Sequence, residues 1–297
     1  MPRELRLDTG YVTIALTVPD EVTEDVLGSI GAEVTRLLPG GWRTGEAPLV
    51  DPDLRVAVAS TERPSIRLAG ECVLVGLPPP VLTSATLAYI TYTAAERARQ
   101  QRGLITTHAC AVTTPEGQGV VLLGDKGSGK TDTALAMAAK GYPLCGDDLV
   151  VLATHPERLE VWAGKQVVAV RQPGVLFGYE TKTAVHCGQF ATPVVPVALV
   201  VRVGIHPSAQ PTIVAGTPLS VTERLRLAEN LARYITGTPT PLMLEPEVYA
   251  PVYPLDDPAC ATTRAAVIRQ IADVGLCYLQ APSAQQAAGM IEELLCR

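Results

Sequence analysis

An α/β fold is expected of this chain, with a strand, glycine loop and helix unit at its centre and a small α+β module ahead of it. Three observations point there. The run GVVLL at Gly119 to Leu123 reads as a short buried strand, and the Ala-rich Asp132 to Lys140 reads as a helix stopped by Gly141. Between them lies GDKGSGKT, Gly124 to Thr131, which matches the phosphate-binding pattern GxxxxGK[ST]. From Leu104 onward, apolar β-type runs alternate with helical patterns, while the first eighty residues carry their own strands and helix.

The module comes first, over residues 1–80. Tyr11 to Val18 alternates like a strand, Glu24 to Leu38 has helical spacing, and Arg55 to Ser60 and Cys72 to Gly76 read as strands. Pro78 to Pro80 ends it, and Val81 to Arg102 then forms a long helix leading into a second domain over residues 81–297. In that domain Leu104 to Val112, the loop strand, Leu144 to Leu152, a pair around Val161 to Val170, and Pro196 to Val203 read as strands. Helices are expected at Thr222 to Tyr234, Thr262 to Val274 and Ala284 to Leu295, with a short strand at Leu276 to Leu279. The Pro-rich segment from Thr238 to Pro258 reads as a surface connector or a covering lid.

The loop implies a nucleoside triphosphate. Small residues at Gly127, Ser128 and Gly129 let successive amides curl inward, and the helix N-terminus adds partial positive charge behind the phosphates. Gly124, Asp125, Lys126, Gly127, Ser128, Gly129, Lys130, Thr131 and Asp132 are therefore the expected nucleotide-binding residues, with ATP as ligand and Mg²⁺ as companion. Lys130 is expected on the β and γ oxygens and Thr131 on the metal. Lys126 and Lys130 are two of only five lysines in the chain, which argues against chance placement.

A pair of carboxylates, Asp147 and Asp148, follows in KGYPLCGDDLVVL. Adjacent acids repel and are costly to bury, an objection that a metal and a nearby Lys remove. One acid is expected on Mg²⁺, here Asp147, and the next, Asp148, is expected to take the proton of the attacking oxygen.

HACAV at His108 to Val112, the hairpin-like TTPEGQG, the loop GDKGSGKTDTAL and KGYPLCGDD together resemble HPr kinase/phosphorylase and its wider set of small-molecule and peptide kinases. The resemblance spans roughly Gly103 to Val203. It implies an HPr kinase/PEP carboxykinase-like core and a catalytic group of His108, Lys130, Asp147 and Asp148. Arg171, in AVRQPGV, is similar to an Arg of that family's glycine-ended segment. Ala169 stands where those enzymes carry a metal-holding Glu, and a C-terminal Pro-Gly-Arg-Asn-type loop is missing from the sequence. The expected acceptor is therefore a hydroxyl of a small molecule or peptide. A nucleotide-binding switch and a carrier-protein kinase/phosphorylase are the alternatives.

Composition bounds the partners. A formal charge of −6 and a pI near 5.3, with no dense basic patch, argue against nucleic acid. Seven scattered cysteines without a C-x-x-C pair fit reduced thiols, and Cys145 reads as core. A mean hydropathy of +0.21, no signal-like N-terminus and no run of membrane-spanning length make a cytoplasmic protein the expectation, with homo-oligomerisation left open.

Overall fold

The computed structural model describes residues 3–8, 11–37, 43–45, 51–171, 182–185, 190, 194–235 and 255–296, of which 33–37, 43–45, 169–171 and 182–185 are described by backbone alone. Sheets and helices mix throughout, in two compact units: Met1–Ile105 with Leu231–Arg264, and Thr106–Asn230 with Ala265–Arg297. Among the described residues no helix is long and apolar enough to cross a membrane.

The first unit is built on a six-stranded sheet of β1 (Arg3–Asp8), β2 (Thr13–Val18), β3 (Arg43–Gly45), β4 (Leu54–Ser60), β5 (Ser65–Ala69) and β6 (Cys72–Leu77), in the order β3-β1-β2-β4-β6-β5. Parallel pairing of β2 with β4 and of β4 with β6 makes the sheet centre, where Ile14, Leu16, Val56, Val73 and Val75 are buried. Helices α1 (Glu24–Leu37) and α2 (Ser84–Gln101) pack on each other, and α2 also lies against β2 and β4. That packing places α2 in the first unit by its contacts, whereas the sequence pattern groups it with the loop domain. Glu96, Arg99 and Gln100 near its end are buried and partly paired: Gln100 Nε2 donates to Glu96 Oε1 at 2.8 Å, and Arg99 reaches Glu96 at 3.6 Å and covers the Tyr92 ring. Strands β1, β3 and β5 escape the sequence pattern because four of the six residues of RELRLD are charged, RTG is very short, and β5 is largely exposed.

The second unit holds a nine-stranded sheet. Its main path is β10-β8-β9-β15-β12-β11-β7, from β7 (Leu104–Thr107), β8 (Cys110–Thr113), β9 (Gly119–Leu123), β10 (Leu144–Gly146), β11 (Val150–His155), β12 (Arg158–Trp162) and β15 (Val195–Ile205). Strand β17 (Leu276–Ala281) adds to β15 in parallel, and β16 (Thr212–Ala215) adds to β17. A separate two-stranded ribbon pairs β13 (Val168–Arg171) with β14 (Lys182–Val185). Helices α3 (Lys130–Ala138) and α6 (Ala284–Leu295) pack on each other and on the sheet, burying Met137 and Ala134 beside Ala287, Ala288 and Ile291 over Cys110, Val120 and Leu122. The i, i+3, i+4, i+7 spacing of Ala284, Ala287, Ala288 and Ile291 makes that face of α6, and Ser283 caps it by accepting from Gln286 N. Helices α4 (Val221–Ala232) and α5 (Pro258–Val274) and a short 3-10 turn at Pro79–Val81 complete the described elements.

Two expected strands are each two strands. Leu104 to Val112 is interrupted at His108 and Ala109, and Leu144 to Leu152 is interrupted at Asp147, Asp148 and Leu149. A continuous ladder would have buried these polar side chains on a sheet face. Breaking both strands instead carries each chain from one end of the sheet path to the other, and sets the two interruptions side by side. Most of the Pro-rich segment, residues 236–254, lies outside the described residues, as do His186 and Cys187.

Candidate functional site

The loop grows out of the sheet as its sequence requires. Strand β9 ends at Leu123, parallel to β15, and α3 begins at Lys130 after a turn closed by Ser128 N donating to Asp125 O. Gly129 caps α3 at φ 90°, and a Cβ there would meet Ile205 at 2.4 Å, so both conformation and space exclude a larger residue. The helix therefore starts two residues earlier than Asp132, the first residue of the Ala-rich pattern. Asp125, Lys126, Gly127 and Asp132 are exposed, Gly124, Ser128, Gly129 and Thr131 half-buried, and Lys130 buried.

Lys130 Nζ donates to the loop's own carbonyls, Gly124 O at 2.8 Å and Asp125 O at 3.0 Å. Burial pulls its ammonium below the ordinary lysine range, against the opposing charges of Asp148, Asp125 and Asp147. Thr131 Oγ1 donates to Asp147 Oδ1 at 2.8 Å. The same carboxylate oxygen accepts from Cys110 Sγ at 2.9 Å, and the sulfur lies 3.8 Å from Thr131 Oγ1. Burial first, and then the Asp147 charge, push the Cys110 thiol well above its usual range, so it is a donor and not a thiolate. Cys145, by contrast, is core, with burial raising its thiol to about 12; the six described cysteines are all free.

The two acids face different partners. Asp147 is 2% exposed and tied to the loop threonine, whereas Asp148 is partly exposed, with Oδ1 2.7 Å from His108 Nε2 and Oδ2 3.9 Å from Lys165 Nζ. Asp148 takes φ 66°, the left-handed region in which Asp and Asn are the commonest residues after Gly. His108 is itself placed by its backbone, whose N–H donates to Asn230 Oδ1 of α4 at 3.1 Å.

Lys165 is the residue that sequence reasoning missed, along with Cys110 and Asn230. The strand break brings Gly164 and Lys165 against residues 145–149: Gly164 N donates to Cys145 O, Asp147 N to Lys165 O, and Lys165 N to Leu149 O, at 2.8 to 3.0 Å. A Cβ on Gly164 would meet Leu149 O at 2.3 Å, and one on Gly146 would meet Gly164 Cα at 2.6 Å. Replacing Gly164 by Ala should therefore pry this seam open and cost roughly 2 kcal/mol or more of stability. A urea midpoint within error of wild type would show that the seam is not tight. The available signal in the sequence was the rarity of lysine, which singles out Lys165 without saying what it meets.

Of the expected site residues, His108, Lys130, Thr131, Asp147 and Asp148 lie together. Arg171 is in β13, and its side chain is outside the described residues, as is that of Ala169. Among the described residues no cluster of three or more His, Cys, Asp or Glu side chains is arranged to hold a metal. Thr131 and Asp147 still offer two oxygens 2.8 Å apart beside a phosphate loop, a donor set that suits Mg²⁺, which takes few protein oxygens and keeps water and phosphate for the rest. A cavity of about 320 Å³ is lined by Ser128 of the loop and by Gly204, Ile205, His206, Ala209 and Gln280, at the ends of the parallel strands β15 and β17, and neither Asp147 nor Asp148 lines it.

No protein-family model and no curated protein matches the chain. Among solved structures, the HPr(Ser) kinase/phosphatase of Coxiella burnetii aligns over 64% of this chain and 93% of its own, at 15% identity and a TM-score of 0.34. At those values no residue role carries across from it.

Proposed function

We propose that the chain is a Mg·ATP-dependent kinase that transfers the γ-phosphoryl group to a hydroxyl of a small molecule or a peptide side chain. One observation carries the reading: two adjacent carboxylates are divided between two tasks, Asp147 bonded to the loop threonine and Asp148 bonded to His108 on the more open side. A switch protein needs the first arrangement and has no use for the second.

The loop amides and Lys130 hold the triphosphate, and Lys130 exchanges its two carbonyl partners for β and γ oxygens. Thr131 and Asp147 would hold Mg²⁺, which would supply neutralisation of the phosphate charge. Cys110 and Thr131 fix the Asp147 carboxylate by donating to the same oxygen. Asp148 accepts the proton of the attacking hydroxyl as the new O–P bond forms and the bond from Pγ to the bridging oxygen breaks, its electron pair leaving with ADP. His108 holds the Asp148 carboxylate plane for that transfer. The cavity lined by Ser128 is the site we assign to the rest of the nucleotide.

The test is transfer itself. Protein incubated with γ-labelled ATP and Mg²⁺ is offered sugars, polyols, hydroxy-amino acids and Ser-ended peptides, with the HPr carrier in a parallel arm, and products are read by mass spectrometry. Label on a small molecule or peptide is expected. Label on the carrier alone would move the reading to the protein kinase/phosphorylase, and tight ATP binding with no transfer to any acceptor, water included, would move it to the switch.

A further inference from the structure

Lys165 is 8% exposed, on a backbone clamped to residues 145–149 by three hydrogen bonds. An ammonium in such a place normally loses its charge or finds acceptors for its three donors. Its ammonium lies 3.9 Å from the Asp148 carboxylate, within ion-pair range but beyond hydrogen-bonding distance. The other lysine near the acids behaves differently, since Lys130 Nζ is satisfied by two carbonyls of its own loop. A buried ion pair of this kind is a poor device for stability alone, because the desolvation cost of a lysine exceeds what a loose contact returns. The seam fixes where the Lys165 backbone sits, and the Asp148 carboxylate marks where its ammonium points.

We propose that Lys165 is a second phosphoryl-binding cation, whose ammonium takes an oxygen of the γ-phosphoryl group as it passes from ADP to the acceptor. This rests on the kinase reading given above. During transfer the bond from Pγ to the bridging oxygen breaks with its electron pair going to ADP, the acceptor oxygen bonds to Pγ, and its proton goes to Asp148. Negative charge on the equatorial oxygens must be met throughout that passage. Lys130 and the metal site at Thr131 and Asp147 serve the nucleotide side, and Lys165 serves the acceptor side, next to the carboxylate that takes the proton.

The test uses MgADP alone and MgADP with aluminium fluoride, a mimic of the phosphoryl group in flight, on the full chain. Calorimetry compares wild type with Lys165→Met, which keeps the apolar length, and with Lys165→Arg, which keeps the charge. Lys165→Met should bind MgADP within about twofold of wild type and lose roughly a hundredfold of the extra affinity that aluminium fluoride confers, with Lys165→Arg recovering part of it. Equal fluoride-dependent tightening in wild type and a folded Lys165→Met would overturn the assignment while leaving the kinase reading intact. Equal loss of MgADP affinity and of the fluoride increment would also overturn it, marking Lys165 as structural. A wild type that binds no MgADP defeats the nucleotide reading and this inference with it.

Discussion

Lys130→Ala should lower the affinity for Mg·ATP and any phosphoryl transfer by about two to three orders of magnitude, the scale seen when one fixed charge is removed from a site where charge develops. The expectation comes from where the ammonium already stands. Its Nζ bridges the carbonyls of Gly124 and Asp125 across the mouth of the loop, so it is pre-positioned within the ring of atoms that a triphosphate would occupy. Lys130 is buried, so a phosphate there would meet a poorly screened charge. Alanine would also take a donor from two carbonyls, of which Asp125 O keeps Ser128 N, an effect confined to the loop because Lys130 is the first residue of α3 and Ala is the better helix former. Calorimetry with ATP, set beside thermal unfolding, separates the two effects: binding should collapse while the melting midpoint moves by a few degrees at most. Wild-type affinity in a folded Lys130→Ala protein would remove the loop from the mechanism.

What could be read from the sequence divides according to range. GDKGSGKT is local, and its strand, loop and helix appear where the pattern puts them, with α3 starting earlier because Gly129 caps it in a left-handed turn. The Asp147 and Asp148 pair was visible as chemistry, but its division of labour depends on partners up to 40 residues away, Thr131 and Cys110 on one side and His108 on the other. His108 came into view only through a resemblance, since a lone histidine in an apolar run carries no local signal. Lys165 could not be found at all, because its meeting with Asp148 follows from a glycine to glycine backbone contact between residues 146 and 164 that no periodicity reports. The same limit applies to α2, whose helical pattern does not report that Glu96, Arg99 and Gln100 are buried, with Gln100 bonded to Glu96 and Arg99 3.6 Å from it.

Asp148→Asn should reduce phosphoryl transfer by roughly two to four orders of magnitude while leaving Mg·ATP affinity within about threefold. The choice of asparagine matters. At φ 66° the backbone is in a region that Asn tolerates nearly as well as Asp, whereas Ala would add strain and confuse lost chemistry with a moved loop. The amide oxygen can still face His108 Nε2, so the contact at Oδ1 survives in geometry while the ability to accept a proton is lost. Asp147→Asn makes the contrasting variant, because that carboxylate is held by Thr131 and Cys110 at the expected metal position, and its loss should raise the Mg²⁺ concentration needed for half-maximal activity. Two acids one residue apart would then fail in two different ways, one in the rate at saturating Mg²⁺ and the other in the Mg²⁺ dependence. If both variants fail alike in Mg²⁺ dependence with the transfer rate restored at high metal, Asp148 is a second metal-holding acid and the proton must go elsewhere. Transfer by Asp148→Asn at the wild-type rate, measured by ADP release with a confirmed acceptor, would sink the base assignment outright.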